Sequence, residues 1–240
     1  MVKKVIISAA GRGTRMKELT KDIPKPMLPV NGKPFLYYLL ENLKKAGFEE
    51  FIVITGYKGE KVEEFVGEYD KNIKTVNQFE VLGEEKYGTA CPLLCVEDLV
   101  GGDDFVSVNG DNLYSPRDLE SFRIDDEYCY IAGLKELDPK KYGAIIVDKD
   151  DFLVEIKEKP KKFYSDLVNI NLFKFTSDVF KAVKKVGESE RGEYEITDVV
   201  TILAQEKKVK LKIMQDYWMD FGSPEDIPIV EKFVAKEFNI

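Results

Sequence analysis

The chain has 240 residues, of which 44% are hydrophobic and 33% are charged, and its formal net charge is -8. This composition is typical of a globular protein of one or two domains, and the acidity argues against nucleic-acid binding, which usually requires a basic surface. No apolar stretch is long enough for a membrane span or has the form of a secretory signal, and three cysteines without a disulfide pattern fit a reducing compartment. We therefore expect a cytoplasmic protein that binds neither nucleic acid nor membrane.

Histidine is absent from the sequence. Because histidine is the commonest general base, any chemistry must rely on carboxylates, lysines or a metal ion. Cys91 and Cys95 are four residues apart, but with no histidine and only one further cysteine they lack the partners of a structural zinc site. We expect them to be small core residues.

Strands and helices alternate in the first half of the chain. Short apolar runs predict buried strands, and leucines at helical spacing predict a helix that begins at Pro34 and stops at Gly47. The predicted strands are 5–7, 51–55, 74–77 and 105–108, and two further predicted helices are 59–69 and 89–99. This alternation indicates βαβ units in a parallel sheet.

The second half is richer in strands joined by turns. The predicted strands are 128–134, 144–147, 153–156, 168–175 and 209–214, and the predicted helices are 178–186, 196–207 and one that begins at about 224. A hairpin-like turn is expected at 149–151. We predict an α/β fold, a Rossmann-like three-layer αβα sandwich with a mostly parallel central sheet and a small additional β region. We expect one domain over 1–240, with functional halves at 1–115 and 116–240.

A loop with two glycines follows the first predicted strand. Gly11 and Gly13 allow backbone N–H groups to approach an anion closely, and Arg15 and Lys25 add positive charge. These are the parts needed to hold a triphosphate. The loop lacks the third glycine of a dinucleotide fingerprint and the Gly-Lys-Ser/Thr ending of a P-loop, and an ordinary glycine-rich turn is the alternative. Asp111 follows another predicted strand, so we expect it to meet the loop at the carboxyl edge of the sheet.

A series of motifs, in order along the whole chain, resembles the sugar-phosphate nucleotidylyltransferase family. The motifs are Ala9-Ala10-Gly11-Arg12-Gly13-Thr14-Arg15, Pro24-Lys25-Pro26-Met27-Leu28-Pro29-Val30, Gly32-Lys33-Pro34, Gly88-Thr89-Ala90, Asn109-Gly110-Asp111-Asn112, Tyr142-Gly143, Glu158-Lys159-Pro160, Glu195-Ile196-Thr197-Asp198 and Trp218-Met219-Asp220-Phe221-Gly222-Ser223-Pro224. One motif alone would carry little weight, whereas the ordered set is specific.

The resemblance implies roles for residues of the first half. The nucleotide would contact Ala10, Gly11, Gly13, Thr14, Arg15, Gln78 and Gly88. The residues implied for catalysis are Arg15, Lys25, Asp111 and Asp220, and the two aspartates would hold Mg²⁺, which prefers oxygen ligands. The stretch 79–87 between Gln78 and the Gly-Thr-Ala motif is longer than the family's usual spacing, which leaves the choice of base open.

The resemblance also implies a sugar-phosphate site in the second half. Gly143 would approach the sugar by its backbone, Glu158 and Asn169 would bond its hydroxyls, and Lys159 would bind its phosphate. Alternatives are a turn-capping role for Asp111 and an exposed surface pair formed by Glu158 and Lys159. The sequence Asp220-Phe221-Gly222 also occurs in protein kinases, but a chain without histidine cannot carry the His-Arg-Asp loop of those enzymes.

The expected reaction joins an NTP and a sugar 1-phosphate to give an NDP-sugar and pyrophosphate, with Mg²⁺ as cofactor. Glucose 1-phosphate with dTTP or UTP is the favoured substrate pair. Open alternatives are cytidylyl or guanylyl transfer to mannose, amino-sugar, inositol or choline phosphate, a molybdopterin-type nucleotidyltransferase, and a non-catalytic regulatory subunit that binds nucleotide or sugar phosphate. No left-handed β-helix repeat is visible, so we expect no acyltransferase domain, and a homo-oligomer is possible.

Overall fold

A nine-stranded mixed sheet forms the centre of the computed structural model, which describes residues 1–135 and 141–240. The strands of the chain are β1 (Lys4–Ser8), β2 (Pro29–Val30), β3 (Lys33–Pro34), β4 (Glu50–Thr55), β5 (Lys74–Asn77), β6 (Phe105–Asn109), β7 (Asn112–Tyr114), β8 (Cys129–Lys135), β9 (Gly143–Val147), β10 (Leu153–Glu158), β11 (Leu167–Phe175), β12 (Val209–Ile213) and β13 (Trp218–Asp220). The helices are α1 (Phe35–Lys45), α2 (Gly59–Tyr69), α3 (Gln78–Leu82), α4 (Cys91–Leu94), α5 (Glu97–Val100), α6 (Pro116–Ser121), α7 (Asp178–Val183), α8 (Ile196–Gln205) and α9 (Ile227–Glu237).

The main sheet runs in the order β10-β9-β11-β6-β1-β4-β5, and β8 joins β11 to β12. The four strands β6, β1, β4 and β5 of the first half are parallel to one another, because helices return the chain to the same edge of the sheet after each strand. Strand β11 is antiparallel to β6, β8 and β9, so the second half continues the sheet through turns. The carboxyl ends of β1 and β6 therefore lie side by side.

Two hydrophobic cores cover the two faces of the sheet. Neighbouring residues of β1 point to opposite faces, so that Ile7 packs with α1, α2 and α9, whereas Ile6 packs with α7 and α8. Both isoleucines are fully buried. Helices thus lie on both sides of the sheet, and the predicted three-layer α/β architecture is confirmed.

Helix α1 shows how the sequence specifies this packing. The predicted inward face, with Leu36, Leu39, Leu40 and Leu43, is fully buried. The chain leaves the helix through Gly47, which has a φ of 86°. This left-handed φ favours glycine, whereas the nearest atom to a Cβ there, in the Arg123 guanidinium, is the end of a flexible side chain that can move away.

The prediction of one helix over 89–99 is wrong. The structure has two four-residue helices, α4 and α5, separated at Cys95 and Val96. Val96 leaves the helical region, with a φ of -123°, and its side chain is completely buried. The free energy gained by burying this β-branched side chain exceeds the cost of interrupting the helix. Helices α3 and α6 and the strands of two to three residues were not anticipated, because such short elements give no periodic signal.

The turn predicted at 149–151 is present. It joins β9 and β10, which are antiparallel, and Asp151 adopts a left-handed φ of 62° within it. The last helix begins with a 3-10 turn at Pro224–Asp226 before α9. All three cysteines are free thiols, and no helix in the described parts of the chain is long and apolar enough to cross a bilayer.

Leu39→Ala tests the packing of α1. The substitution removes a fully buried side chain and leaves a cavity, so we expect it to lower the free energy of unfolding by about 2–5 kcal/mol. Chemical denaturation followed by circular dichroism measures the change. Leu19→Ala is the matched control, because Leu19 is 43% exposed. Equal losses in the two variants would contradict the assignment of α1 to the core.

Candidate functional site

A cavity of about 460 Å³ opens beyond the carboxyl ends of β1 and β6. Its walls come from both halves of the chain, since β9, β10 and β11 contribute from the other side. Every residue predicted for the site lines it: Ala10, Gly11, Gly13, Thr14, Arg15, Lys25, Gln78, Gly88, Asp111, Gly143, Glu158, Lys159, Asn169 and Asp220. The structure thus brings the residues predicted for the nucleotide and those predicted for the sugar phosphate to one cavity. In the sequence, only the order of the motifs links these two groups.

The glycine loop is shaped by contacts behind it. The Gly13 carbonyl accepts hydrogen bonds from the Met16 N–H, at 2.9 Å, and from the Thr20 hydroxyl, at 3.1 Å. Gly13 has a φ of 62°, and a Cβ there would lie 3.0 Å from Thr20 and 3.1 Å from Lys25. Only glycine fits this position, and the loop backbone faces the cavity without side chains in front of it.

Lys25 and Asp111 form a buried ion pair on the floor of the cavity. Lys25 stands between Pro24 and Pro26 in a 3-10 turn, and its side chain is only 8% exposed. Burial acts to raise the pKa of Asp111, but the Lys25 charge and a hydrogen bond from Asn112 at 2.8 Å hold that pKa below its ordinary value. Asp111 is therefore ionised, and the alternative of a simple turn cap does not account for its pairing with a buried lysine.

Asp220 is brought to the same place by a two-stranded ribbon. Strand β13 pairs with β7 so that Asp220 lies opposite Asn112, and the Phe221 N–H donates to the Asp111 carbonyl at 2.9 Å. The Phe221 ring stacks on Phe35 of α1 at 4.6 Å, which anchors the turn in the core. This position makes Phe221 structural.

The two aspartates lie close enough for the charge of one to affect the ionisation of the other. Burial and the nearby Asp111 charge raise the pKa of Asp220 to about 6, although Lys25 and Arg15 oppose this shift. Such a pair of carboxylates fits a hard divalent cation. Within 1–135 and 141–240, no group of three Cys, Asp or Glu side chains is placed to hold a metal. An ion here would complete its coordination with phosphate and water oxygens.

The predicted sugar-phosphate residues are contiguous in the sheet. Gly143 of β9 lies opposite Glu158 of β10 and beside Asn169 of β11. A Cβ at Gly143 would lie 3.0 Å from the Glu158 carboxylate, so glycine keeps this floor open. Lys159 follows in a left-handed conformation with a φ of 42°, which turns the chain at the cavity.

Gln78 and Gly88 form the opposite end of the cavity. Gln78 is 1% exposed, and its Oε1 is a buried atom with no hydrogen-bond partner in the described chain. A buried amide that lines a cavity with an unsatisfied oxygen is suited to a polar ligand. Gly88 has a φ of 137°, and a Cβ there would overlap the Tyr194 backbone at 2.3 Å.

Several cavity residues had no predicted role. Arg191 donates to Glu195 at 2.8 Å, and the hydroxyl of Thr89 accepts from the Ile196 N–H at 2.9 Å. These residues and Tyr87 all line the cavity. Arg191 lies only four residues before Glu195, the first residue of the Glu-Ile-Thr-Asp motif. The position of a basic residue so close to this motif is the sequence signal for a role of Arg191 in the site.

Comparison with known proteins assigns the family. The sequence model described as Nucleotidyl transferase matches residues 4–237. The chain belongs to this family. As a nucleotidyl transferase, it is 35% identical over 235 residues to the bifunctional protein GlmU of Methanocaldococcus jannaschii, covering 98% of this chain and 55% of that protein. The chain thus spans about half the length of this relative.

Other relatives match over their full length. Identity is 32% over 240 residues with the UTP--glucose-1-phosphate uridylyltransferase AglF of Haloferax volcanii, covering 98% of this chain and 97% of that protein. A putative glucose-1-phosphate thymidylyltransferase from Bacillus anthracis, solved with a sucrose, superposes with a TM-score of 0.82 at 28% identity, covering 96% and 94% of the two chains. A UDP-glucose pyrophosphorylase complexed with UDP-glucose shares the fold, with a TM-score of 0.85 at 24% identity over 99% and 100%.

Asp220→Asn tests the charge balance of the site. Because the folded pKa of Asp220 is raised from 3.8 to about 6, its ionisation opposes folding as pH rises through this window, and the penalty is complete above it. We expect the variant to gain on the order of 1–3 kcal/mol of unfolding free energy at pH 7.5 without metal, and almost none at pH 3.8. Denaturation at both pH values, with exposed Asp216→Asn as control, measures this. Destabilisation at pH 7.5 would contradict the charge assignment.

Proposed function

We propose that this nucleotidyl transferase joins an NTP to a sugar 1-phosphate in a Mg²⁺-dependent reaction, giving an NDP-sugar and pyrophosphate. One observation carries the proposal. A single cavity is lined by a glycine loop with Arg15 and Lys25, by the acidic pair Asp111 and Asp220, and by the sugar-phosphate residues around Lys159. A non-catalytic binding protein would have no need for the acidic pair beside the loop.

The chemistry needs no general base in the protein. A phosphate oxygen of the sugar 1-phosphate forms a new bond to the α-phosphorus of the NTP, while the bond from that phosphorus to the bridging oxygen of pyrophosphate breaks. The second pKa of a phosphate monoester is about 6, so the attacking oxygen is already ionised near neutral pH. A site without histidine can therefore catalyse the reaction by positioning the reactants and stabilising charge.

The roles of the cations follow from their places. Lys25 is buried on the cavity floor, and Arg15 acts electrostatically on the same aspartates, so both stand where phosphate charge must be neutralised. Asp111 and Asp220 would hold Mg²⁺, which when bound supplies positive charge to the phosphates of the NTP. Lys159, which lines the same cavity, would bind the phosphate of the sugar.

We propose glucose 1-phosphate with dTTP or UTP as the substrate pair. The unsatisfied oxygen of the buried Gln78 amide can accept from the N–H of a uracil or thymine ring, a donor that guanine also presents but cytosine lacks. The names of AglF and of the Bacillus anthracis protein give UTP or thymidylyl transfer with glucose 1-phosphate. The cytoplasmic location and the homo-oligomeric state stay predictions.

A pyrophosphate-release screen tests the function directly. ATP, GTP, CTP, UTP and dTTP are each combined with glucose, mannose, galactose and N-acetylglucosamine 1-phosphates, with and without Mg²⁺. We expect turnover with glucose 1-phosphate and UTP or dTTP only when Mg²⁺ is present. The absence of pyrophosphate release with every substrate pair would contradict the proposed activity.

Asp111→Asn tests the metal role. The substitution removes a charged oxygen ligand and keeps the shape, so we expect turnover to fall at least about 10²-fold. The folded state should persist, as judged by circular dichroism. Asp216→Asn, which removes an exposed aspartate elsewhere, is the matched control and should keep full activity. Near-normal turnover in Asp111→Asn would exclude this residue from the mechanism.

Lys159→Met tests the sugar-phosphate end. The variant keeps most of the side-chain volume and loses the charge, so we expect KM for the sugar 1-phosphate to rise about 10- to 100-fold. KM for the NTP should change less than about twofold, because the loop lies at the other end of the cavity. Steady-state kinetics with each substrate varied in turn measures both constants. A rise confined to the KM of the NTP would reverse the assignment of the two ends.

A further inference from the structure

Arg12, at the tip of the glycine loop, is held from outside the cavity. Its guanidinium carbon lies 5.9 Å from the centre of the Phe79 ring and 5.8 Å from that of Tyr87. Its backbone N–H donates to the Tyr87 hydroxyl at 3.4 Å, and its guanidinium lies 3.6 Å from the Glu84 carboxylate. We call Phe79, Glu84 and Tyr87 together the Arg12 clamp.

The aromatic rings dominate this clamp. The side chains of Arg12 and Glu84 are 46% and 73% exposed, and an ion pair so open to solvent contributes little. A guanidinium between two aromatic faces combines cation–π attraction with contact of two flat surfaces. The hydroxyl of Tyr87 adds a link to the loop backbone itself.

The two rings stand on fixed supports. The Tyr87 carbonyl accepts from the Tyr194 N–H at 2.9 Å, and the Tyr194 carbonyl accepts from the Ala90 N–H at 2.9 Å. Phe79 lies in the first turn of α3, where its N–H donates to the Asn77 side chain at 3.0 Å. The clamp is therefore a fixed surface against which the loop is placed.

The loop is thereby held at two adjacent residues. Gly13 is held from behind by Thr20, and Arg12 is held from the side by the clamp. Tyr87 also lines the cavity, and its hydroxyl lies 3.9 Å from the position of a Cβ on Gly11. Among the described residues that line the cavity, Arg12 is not included. The contacts of Arg12 are with the clamp, and they bear on the position of the loop.

We propose that Arg12 is a positioning residue that preorganises the glycine loop for the phosphate chain of the nucleotide, through Phe79 and Tyr87. This rests on the proposed function only for the identity of the ligand. Preorganisation lowers the ordering cost of binding, so its loss raises KM for the NTP and leaves kcat almost unchanged. The three clamp residues all lie in the stretch 79–87, between Gln78 and Gly88 of the cavity wall.

Three variants and one control test the proposal. Arg12→Ala removes the held group, Tyr87→Phe removes only the hydroxyl that bonds the loop, and the double variant combines them. Arg117→Ala removes an exposed arginine far from the loop and controls for net charge. Each protein is measured by amide hydrogen exchange of residues 11–15, by calorimetric binding of inorganic tripolyphosphate with Mg²⁺, and by steady-state kinetics with the NTP that the wild type accepts.

The expected result is a matched set of changes. Arg12→Ala and Tyr87→Phe should each speed exchange in 11–15, weaken tripolyphosphate about 3- to 10-fold, and raise KM for the NTP by the same factor with kcat within twofold. The double variant should lose more than either single variant, because Arg12→Ala keeps the backbone N–H that bonds the Tyr87 hydroxyl and the two changes therefore remove different contacts. Arg117→Ala should match the wild type.

Two results would overturn the proposal. Wild-type binding and exchange in Arg12→Ala would show that the loop needs no clamp. A large loss in Arg12→Ala with unchanged exchange and no loss in Tyr87→Phe would show that Arg12 binds phosphate directly. If the wild type turns over no substrate pair, the proposed function fails, while exchange and tripolyphosphate binding still decide the role of the clamp.

Discussion

The buried pair of Lys25 and Asp111 is the interaction on which the site depends. A lysine placed in the floor of a cavity needs a partner, and Asp111 supplies it at the end of β6. Asp220 lies beside this pair, and its burial together with the Asp111 charge raises its pKa to about 6, although Lys25 and Arg15 oppose the shift. We propose that the cavity receives positive charge at this point, next to residues that would neutralise phosphates. A divalent cation carried with a triphosphate meets both demands together.

The sheet places further residues around this ion pair, so that the site has two ends. The parallel strands β1 and β6 present the glycine loop and Asp111 at one edge. The antiparallel strands β9, β10 and β11 then bring Gly143, Glu158 and Asn169 into register at the same cavity. In the proposed function, two substrates held in this one cavity would face each other over the acidic pair. This geometry is what a displacement at phosphorus requires.

The sequence was sufficient to predict the long elements and a set of residues that the structure brings to one cavity, and insufficient for features that depend on tertiary contacts. Leucine spacing located α1, and motif order located residues as distant as Lys25 and Asp220, because those patterns reflect local periodicity and chemistry. The break at Val96 depends on burial that periodicity does not encode. The hydrogen bond between Arg12 and Tyr87 joins residues 75 positions apart, so no local sequence pattern predicts it. A role for Arg191 was not predicted, because an exposed arginine beside a motif has the same sequence pattern as many solvated surface charges.

The ribbon of β7 and β13 has a consequence for biosynthesis. Trp218 donates to Asn112 at 2.6 Å across 106 positions of sequence, so Asp220 reaches its place only after a contact of high sequence separation forms. During translation the glycine loop, Lys25 and Asp111 leave the ribosome long before Asp220 does. The nascent chain can therefore hold the ion pair while the second carboxylate is still missing. The active centre is completed late, when the C-terminal segment docks and Phe221 stacks on Phe35.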